Sequence, residues 1–297
     1  MELSCPACSA SGRPKSLVVE GRYRLNRCSA CATEFFRPDP ELGGSADERT
    51  ISEYWESYKF DVYGSTVVRD AFAARYDRVL AEARQHVTPI HSVLDVGCGI
   101  GNFLDHAGKV GLEAIGSDVE ARAVNASRER GLTAYLANEL DEHVPDESVD
   151  AVSMWDVIEH LFDPVSVLRA GVAKLRPGGA LLIETPDAAF LGRRMLLAIH
   201  SLSAGRVNLT APMYYWEHKV YFTERGLSIL LERTGIEVLS VHRETSLREK
   251  MAVDFKQHSD QSLIGHFLYR AWPAMETTFR QLGRGNKLIV VGCKRGG

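Results

Sequence analysis

Seven short runs rich in apolar and β-branched residues alternate with segments of helical spacing from residue 92 onward. The runs are SVLDV, EAIGSD, TAYL, DAVSMW, ALLIET, EVLSV and KLIVVG. Strands that alternate with helices predict a mainly parallel sheet with crossover helices on both faces. The chain is therefore expected to adopt an α/β fold.

Two of the helices can be located from their spacing and end signals. Apolar residues at 68, 72, 76, 79, 80 and 83 predict a helix from about 67 to 86. Asp163 is a suitable N-cap for another helix, with Pro164 at its first position. Pro177-Gly178-Gly179 then predicts a turn into the ALLIET strand.

Two connections are longer than this alternation needs, at roughly 186–222 and 243–286. Connections of this length are usually functional lids or additions. The first contains an aromatic cluster that includes Tyr214, Trp216 and His218. The second contains an amphipathic segment, LIGHFLYRAW, for which a membrane surface or a homodimer contact are the alternatives.

The composition is that of an ordinary globular protein. With 45% hydrophobic and 25% charged residues, the 297-residue chain can form one large domain and a small appendage. Its formal net charge of -4 lacks the basic footprint of a nucleic-acid binder. The N-terminus has no secretory signal, and His200 interrupts the longest apolar run, so we expect a cytoplasmic protein without a membrane span.

Four of the six cysteines lie in the first 31 residues. Cys5 and Cys8 are followed by Cys28 and Cys31, a CxxC…CxxC pair with the spacing of a tetrahedral zinc site. LVVE and RYRLN between the pairs predict a β-hairpin. A unit of fewer than about 40 residues cannot bury a stabilising core by itself. Structural zinc would therefore supply part of the free energy of folding. Redox-active dithiols are the alternative, although four closed ligands leave no reactive position.

We predict a zinc ribbon over residues 1–44 and a larger domain over 45–297, with a Pro- and Gly-containing linker at 39–50. Residues 1–44 contain six Lys and Arg against five Asp and Glu, a net charge of +1. That charge gives thin support for a ribbon that contacts RNA. We interpret the ribbon as structural or as guiding a substrate.

The first strand of the predicted sheet runs into DVGCGIGN, a glycine-rich turn before a helix. Gly97, Gly99 and Gly101 allow a ligand to approach the backbone at the carboxyl end of a central strand, where open α/β sheets bind ligands. The dinucleotide fingerprint would need a glycine at position 102, where this chain has Asn102. The loop therefore predicts a nucleotide cofactor other than NAD.

Two carboxylates refine this prediction. Asp95, at the mouth of the loop, would repel a pyrophosphate but suits a cationic ammonium or sulfonium. Asp118 ends the second strand, the position from which an acidic side chain accepts hydrogen bonds from ribose hydroxyls. The predicted ligand is nucleoside-like and carries a positive charge.

These segments resemble the class I S-adenosylmethionine-dependent methyltransferases, especially the ubiquinone-biosynthesis-like branch. VLDVGCGIGNFL, Asp118, SVDAVSMWDVIEHLFDP and LRPGGALLIETP carry the resemblance over 92–185, and EHKVYFTERGLSILLERTGIEVLSV resumes it over 217–241. Bacterial small-molecule and sugar methyltransferases with an N-terminal CxxC…CxxC ribbon are similar to the whole chain. The resemblance implies a Rossmann-like seven-stranded sheet whose last strand, KLIVVG, is antiparallel.

The resemblance also implies which residues surround S-adenosylmethionine. They are Asp95, Gly97, Gly99, Gly101, Asp118, Val119, Asn138, Trp155 and Asp156. By the same resemblance, Val119 would lie against adenine, and Asn138 would read the adenine amino group, where the family more often has Asp. Trp155 and Asp156 would border the methyl group and the mouth of the acceptor site.

Methyl transfer from a sulfonium needs an in-line nucleophile, exclusion of water and often a base for one proton. His218 is the first candidate for the base, because histidine titrates near neutral pH. His160 is the second, with a structural role beside the fourth strand as the alternative. Tyr58 and Tyr63 are candidates for covering the cofactor, although aromatic packing explains them nearly as well.

The sequence leaves three functions to compare. The favoured one is methylation of an oxygen, nitrogen or carbon atom of a small-molecule metabolite of sugar or natural-product type. An RNA methyltransferase docked through the ribbon would need a basic groove, and only residues 243–297 are basic. A binding protein without catalysis is disfavoured because the cofactor positions are intact.

Overall fold

The computed structural model describes residues 3–12, 15–20, 23–38, 57–87, 89–203, 206, 214, 218–250, 274, 277–279, 281–282 and 284–296. For residues 18–20 and 57–59 it describes the backbone alone. The predicted linker at 39–50 and the segment LIGHFLYRAW lie outside the described residues. The homodimer contact predicted for that segment stays a prediction.

The N-terminal region forms two small antiparallel sheets. Their strands are β1 (Leu3–Ser4), β2 (Ser11–Gly12), β3 (Lys15–Glu20), β4 (Tyr23–Arg27) and β5 (Glu34–Pro38). β1 pairs with β2, and β4 lies between β3 and β5. The predicted hairpin between the two CxxC pairs is confirmed by the β3–β4 pairing.

Helices and strands then alternate along the larger domain, as the sequence predicts. The first part contains α1 (Ser57–Gly64), α2 (Thr66–His86), β6 (Ser92–Val96), α3 (Asn102–Lys109), β7 (Glu113–Asp118), α4 (Ala121–Glu129) and β8 (Ala134–Leu136). The second part contains α5 (Leu140–His143), β9 (Val149–Trp155), α6 (Pro164–Lys174), β10 (Leu175–Pro186), α7 (Leu191–Leu202), β11 (Val220–Tyr221), α8 (Glu224–Arg233), β12 (Ile236–Glu244) and β13 (Lys287–Lys294). All seven predicted strands are present.

The central sheet has the strand order β12-β13-β10-β9-β6-β7-β8. β6 pairs in parallel with β7 and β9, and β10 pairs in parallel with β9. β13 is antiparallel to both of its neighbours, β10 and β12. The predicted Rossmann-like sheet with an antiparallel last strand is confirmed.

Two hydrophobic layers cover the sheet, because side chains alternate between the faces of a strand. Leu181 and Ile183 of β10 belong to the layer that contains the buried residues of α6 and α8. Ala180 and Leu182 belong to the layer that contains α2 and α3. The predicted helix at 67–86 is confirmed as α2, and its apolar stripe is buried against the second face.

The predicted start of α6 is confirmed. The Asp163 side chain accepts a hydrogen bond from the backbone N of Ser166 at 3.2 Å, and Pro164 occupies the first turn of α6. The turn predicted at Pro177-Gly178-Gly179 is instead an irregular part of β10, where Gly178 has a φ of +76° and the pairing with β9 shifts register. A left-handed φ favours glycine because a side chain would be strained there.

The ribbon is joined to the larger domain by backbone pairing and by a common core. β11 extends the ribbon sheet by pairing antiparallel with β5, and the backbone N of Phe36 donates to the Lys219 carbonyl at 2.8 Å. Ala7 and Phe35 of the ribbon lie in one hydrophobic cluster with Leu227 and Leu231 of α8. The ribbon therefore packs as an integral layer rather than as a tethered appendage.

Side-chain hydrogen bonds cross the same contact. The Thr223 hydroxyl donates to the Cys31 carbonyl at 2.6 Å, and the Arg233 guanidinium donates to the Ala7 carbonyl at 2.7 Å. The buried Glu34 carboxylate accepts from the Tyr214 hydroxyl at 2.5 Å.

Among the described residues, no helix combines the length and the apolar character needed to cross a bilayer.

Candidate cofactor and acceptor site

A cavity of about 260 Å³ opens at the carboxyl ends of β6, β7 and β9. Its described lining includes nine residues that the sequence predicted for the site. They are Tyr63, Asp95, Gly97, Gly99, Asp118, Val119, Trp155, Asp156 and His160. The position agrees with the rule that open α/β sheets bind ligands at the carboxyl edge of the strands.

Three predicted site residues are not part of the described cavity wall. Gly101 is the N-cap of α3, and Asn138 is exposed while its neighbour Ala137 lines the cavity. His218 is buried behind His160. The side chain of Tyr58 lies outside the described residues.

Glycine is required in this loop for packing against neighbouring side chains as well as for access to the cavity. Gly97 has a φ of +76°, and a Cβ atom there would lie 2.4 Å from Val157 Cγ2. Gly101 has a φ of +77°, and its Cβ would lie 2.5 Å from Leu132 Cδ1. A side chain at either position would be both strained and in collision with a neighbour.

The Asp118 carboxylate is fixed by the loop that it faces. The backbone N of Gly99 donates to Oδ2 at 2.8 Å, and the backbone N of Glu120 donates to Oδ1 at 2.9 Å. Each carboxylate oxygen has a further lone pair for a ligand hydroxyl. The orientation of Asp118 is therefore set before any ligand binds.

Asp95 is buried beneath the same loop. Burial raises the pKa of its carboxyl to about 8, although a hydrogen bond from the Ser153 hydroxyl, 2.6 Å from Oδ1, opposes the shift. The nearby Asp118 charge adds to the rise. A cationic group beside Asp95 would reverse this shift by favouring the carboxylate.

An aromatic wall stands next to these carboxylates. The Trp155 ring lies 4.7 Å from the Tyr76 ring and 5.3 Å from the Phe103 ring, measured between centroids. Phe72 continues the wall, 5.7 Å from Tyr76. The sequence predicts Phe72 and Tyr76 on the buried face of a helix but not at the site. Their helical spacing is the same whether the side chains pack in the core or line a cavity.

Asp156 is held by two lysines from the C-terminal part of the chain. Lys250 Nζ lies 3.2 Å from Asp156 Oδ2, and Lys287 forms a second ion pair with Asp156 Oδ1. These charges hold the pKa of Asp156 well below its usual range despite burial. The carboxylate is therefore a fixed negative charge and a poor proton acceptor.

A buried ion-pair network extends from this position. Arg75 on α2 pairs with Glu184 at 2.8 Å and with Glu244 at 2.9 Å. Lys287 Nζ lies 3.9 Å from Glu184, which links the network to Asp156. Sequence reasoning missed these charges, because they come from α2, β10, β12 and β13 and share no local spacing.

Glu159, His160 and His218 form a compact cluster at the cavity wall. The imidazole rings of His160 and His218 lie 4.6 Å apart at 80°, and the ligand atoms of all three side chains lie within 4.8 Å of one another. Burial, with the charges of His160 and Lys287, holds the pKa of His218 well below its usual value. This set can share a proton or coordinate one cation.

The four ribbon cysteines form a second cluster. Cys5 Sγ lies 3.7 Å from Cys31 Sγ, and Cys8 Sγ lies 3.6 Å from Cys28 Sγ. All four sulfur atoms lie within 4.8 Å of one another. A tetrahedral zinc site with Zn–S bonds of about 2.3 Å separates its sulfur atoms by about 3.8 Å. The cysteine geometry fits such an ion.

Comparison with known proteins agrees with this geometry. The sequence pattern of a family described as a methyltransferase domain matches residues 66–241, more than half of the chain. The chain belongs to this methyltransferase domain family. The matched region contains β6 to β10, α8 and most of β12, together with the whole glycine loop.

Individual relatives match shorter segments. The ubiquinone biosynthesis O-methyltransferase of Aliivibrio fischeri is 26% identical over 152 residues, which cover 49% of this chain and 63% of that protein. The enzyme of the same name from Vibrio parahaemolyticus is 30% identical over 156 residues, covering 50% and 65%. The matches thus span less than two thirds of these relatives.

A solved structure shows the same fold. It is the crystal structure of a candidate sarcosine dimethylglycine methyltransferase from Galdieria sulphuraria. Its TM-score is 0.53 at 14% identity, with 80% of this chain and 97% of that chain covered.

Proposed function

We propose that the protein transfers a methyl group from S-adenosylmethionine to an oxygen, nitrogen or carbon nucleophile of a small-molecule acceptor of sugar or natural-product type. The observation that carries the proposal is the single cavity wall shared by the glycine loop, Asp95, Asp118, Trp155 and His160. It combines recognition groups for a charged nucleoside with an apolar wall and a titratable side chain.

The residues fit S-adenosylmethionine in charge and shape. The oriented Asp118 carboxylate would accept from the ribose hydroxyls, and Asp95 would pair with the methionine ammonium. Val119, which is 56% exposed on the wall, would pack against adenine. The bound cofactor supplies an activated methyl group on a sulfonium. The aromatic wall would exclude water from the path of transfer.

His160 is proposed to accept the proton that the nucleophile loses. His160 lines the cavity, whereas the buried His218 does not and packs against the His160 ring, so His160 would contact the acceptor and His218 would orient it. Glu159 is buried beside them and accepts from the Thr185 hydroxyl at 2.9 Å. The sequence favoured His218 as the base, and the burial of His218 is the reason for exchanging the two roles.

The ribbon, residues 1–44, is proposed to hold one structural zinc ion through Cys5, Cys8, Cys28 and Cys31. Four thiolates close the coordination sphere of the ion and leave no position for a substrate. The ion would fix the ends of the ribbon strands that pack on α8. Residues 45–297 would then form the methyltransferase domain proper.

Incubation with S-adenosylmethionine carrying an isotopic label in its methyl group tests this function. A bacterial cell extract serves as the source of acceptors, and label is followed into small metabolites, RNA and protein. We expect label in the metabolite fraction, lost with Asp118→Ala and strongly reduced with His160→Ala. The control Asp105→Ala removes a half-buried carboxylate on α3 that pairs with Lys109, and it should retain activity. Label in RNA would favour the RNA alternative, and no transfer would overturn the proposal.

A further inference from the structure

Lys219 is a basic residue of the cavity wall that also contacts the ribbon. It immediately precedes β11 and lines the cavity together with His160 and Leu161. Only 3% of Lys219 is exposed. Its ammonium thus lies in a region of low dielectric constant, where its electrostatic interactions are strong.

The ribbon contacts both the backbone and the side-chain ammonium of Lys219. The Lys219 carbonyl accepts from the backbone N of Phe36 in β5 at 2.8 Å. Its Nζ atom lies 5.5 Å from the ring centroid of Tyr23 in β4 and 5.0 Å from that of Phe162. The two rings stack with centroids 6.5 Å apart. Ring faces attract an ammonium and fix its position.

Acidic and basic side chains come to the cavity wall from different elements of the fold. β6 and β7 contribute the carboxyls of Asp95 and Asp118 on either side of the glycine loop. The third acidic residue of the described wall, Asp156, is paired with two lysines. Lys219 lines the cavity together with the proposed base His160, whose short helix, Ile158–His160, packs against β11. The cavity is therefore acidic where a cationic cofactor is proposed and basic where the acceptor would lie.

We infer that the ribbon is part of the acceptor site, and that Lys219 binds an anionic group, a carboxylate or a phosphate, of a small-molecule acceptor. Tyr23 and Phe162 position the ammonium for this contact. The inference rests on the proposed function and adds the charge class of the acceptor. RNA is disfavoured as the source of the anion, because a single buried ammonium cannot follow a sugar–phosphate backbone, which needs a groove of several positive charges.

Analysis of the labelled product tests the charge class directly. The product formed from cell extract is applied to an anion-exchange resin at neutral pH. We expect it to bind, to lose binding after phosphatase treatment if the anion is a phosphate monoester, and to lose binding in acid if the anion is a carboxylate. A product that passes through the resin, or label confined to RNA, would overturn the inference.

Substitution of Lys219 tests the residue. Lys219→Met should lower the rate at subsaturating acceptor about tenfold to a hundredfold, the usual effect of losing a charged hydrogen bond, and Lys219→Arg should restore part of it. Affinity for S-adenosylhomocysteine, measured by calorimetry, should stay within about twofold, which also shows that the variant is folded. Lys109→Met removes an exposed lysine on α3 as the matched control. Unchanged turnover in Lys219→Met would refute the assignment.

Tyr23 tests the contribution of the ribbon. Tyr23→Leu removes the ring beneath the ammonium and should raise KM for the acceptor with little change in kcat. Tyr23→Phe keeps the ring and should behave like the unsubstituted protein. A purely structural role would instead lower zinc content or thermal stability, which are measured in parallel. Equal KM values for the Leu and Phe variants would remove Tyr23 from the acceptor site.

A binding experiment without methyl transfer tests the anion site independently of the proposed function. Inorganic phosphate and acetate are titrated by calorimetry into protein saturated with S-adenosylhomocysteine. We expect one of them to bind and the binding to be lost in Lys219→Met. If no extract yields labelled product but this binding is found, the proposed function fails and the anion site stands. If label is transferred but neither anion binds and Lys219→Met is fully active, the anion site fails alone.

Discussion

The two ends of the cavity are built in different ways. The end at the glycine loop comes from one contiguous stretch, in which β6, the loop, α3 and β7 supply Asp95, the glycines and Asp118. The end at Lys219 is assembled from the ribbon hairpin, the short helix Ile158–His160 and β11, which are far apart in sequence. A contiguous site can be read from local spacing, whereas a dispersed site exists only after the chain has folded.

The two ends of the cavity also differ in what stabilises them. The glycine-loop end rests on the central sheet, whose layers bury ordinary apolar side chains. The ribbon end depends on a small unit whose cysteines, Ala7 and Phe35 share a core with α8. β11 and Lys219 are hydrogen-bonded to β5. We therefore expect substitutions that destabilise the ribbon to alter the acceptor end of the cavity before the glycine-loop end.

The largest effect is expected from removal of zinc. Cys28→Ser should reduce zinc content from about one ion per chain to near zero and strongly lower thermal stability, because structural zinc contributes on the order of 10 kcal/mol to folding in small domains. Cys293→Ser replaces a half-buried cysteine of β13 and is the matched control. Elemental analysis and thermal unfolding measure the two properties. A Cys28→Ser protein with full zinc content would contradict the ribbon assignment.

The next effect concerns the glycine-loop end. Asp118→Ala should weaken S-adenosylhomocysteine binding about a hundredfold, because it removes charged hydrogen bonds to the ribose together with the anchor of Gly99. Calorimetry measures the change. Lys219→Met should leave this affinity unaltered, so the pair of variants separates the two ends. Unchanged affinity in Asp118→Ala would end the ribose assignment.

A smaller effect is expected at the contact between the ribbon and α8. A Cβ atom at Gly226 would lie 1.9 Å from the Oγ1 atom of the buried Thr33, so Gly226→Ala should destabilise the protein by about 1–3 kcal/mol. Gly108 is also helical, but its added Cβ meets no atom within 4 Å. Gly108→Ala should therefore stabilise by about 0.5–1 kcal/mol. Chemical denaturation compares the two variants, and equal effects would refute the close contact.

The last effect, small over any one pH unit, is a proton linkage at Asp95. With its pKa raised from 3.8 to about 8, this carboxyl is protonated at pH 7 in the folded, ligand-free protein. A ligand ammonium lowers that pKa, so S-adenosylhomocysteine binding should release up to about one proton. Affinity should then rise with pH by at most about tenfold per unit between about 4 and 8.

Calorimetry in buffers with different ionisation enthalpies measures this release. Asp95→Asn should abolish it, and a release of equal size in that variant would assign the proton to another group. The same shift affects stability without ligand. The unfolded chain loses the proton above its ordinary pKa of 3.8 while the folded protein retains it to about 8, so this group makes the free energy of unfolding fall as pH rises across that window.

Much of the fold follows from local sequence signals. The seven strands, α2 and the capped start of α6 lie where periodicity and end signals predict them, because these depend on neighbours a few residues apart. The lining at Asp95, Gly97 and Asp118 follows for the same reason. Asn138 shows the limit of such reasoning, since a shift of one residue brings Ala137 to the wall and leaves Asn138 exposed.

The sequence by itself determined the α/β sheet, the glycine loop with its two carboxylates and the four-cysteine cluster. Each of these is encoded by spacing within one segment or by residue types with few alternative uses. The tertiary structure alone decided that His160 lies in front of His218, that two lysines neutralise Asp156 and that the ribbon reaches the cavity through Tyr23 and Lys219. These contacts join residues from about 90 to 200 positions apart or depend on side-chain burial, and no local pattern records which distant segments meet.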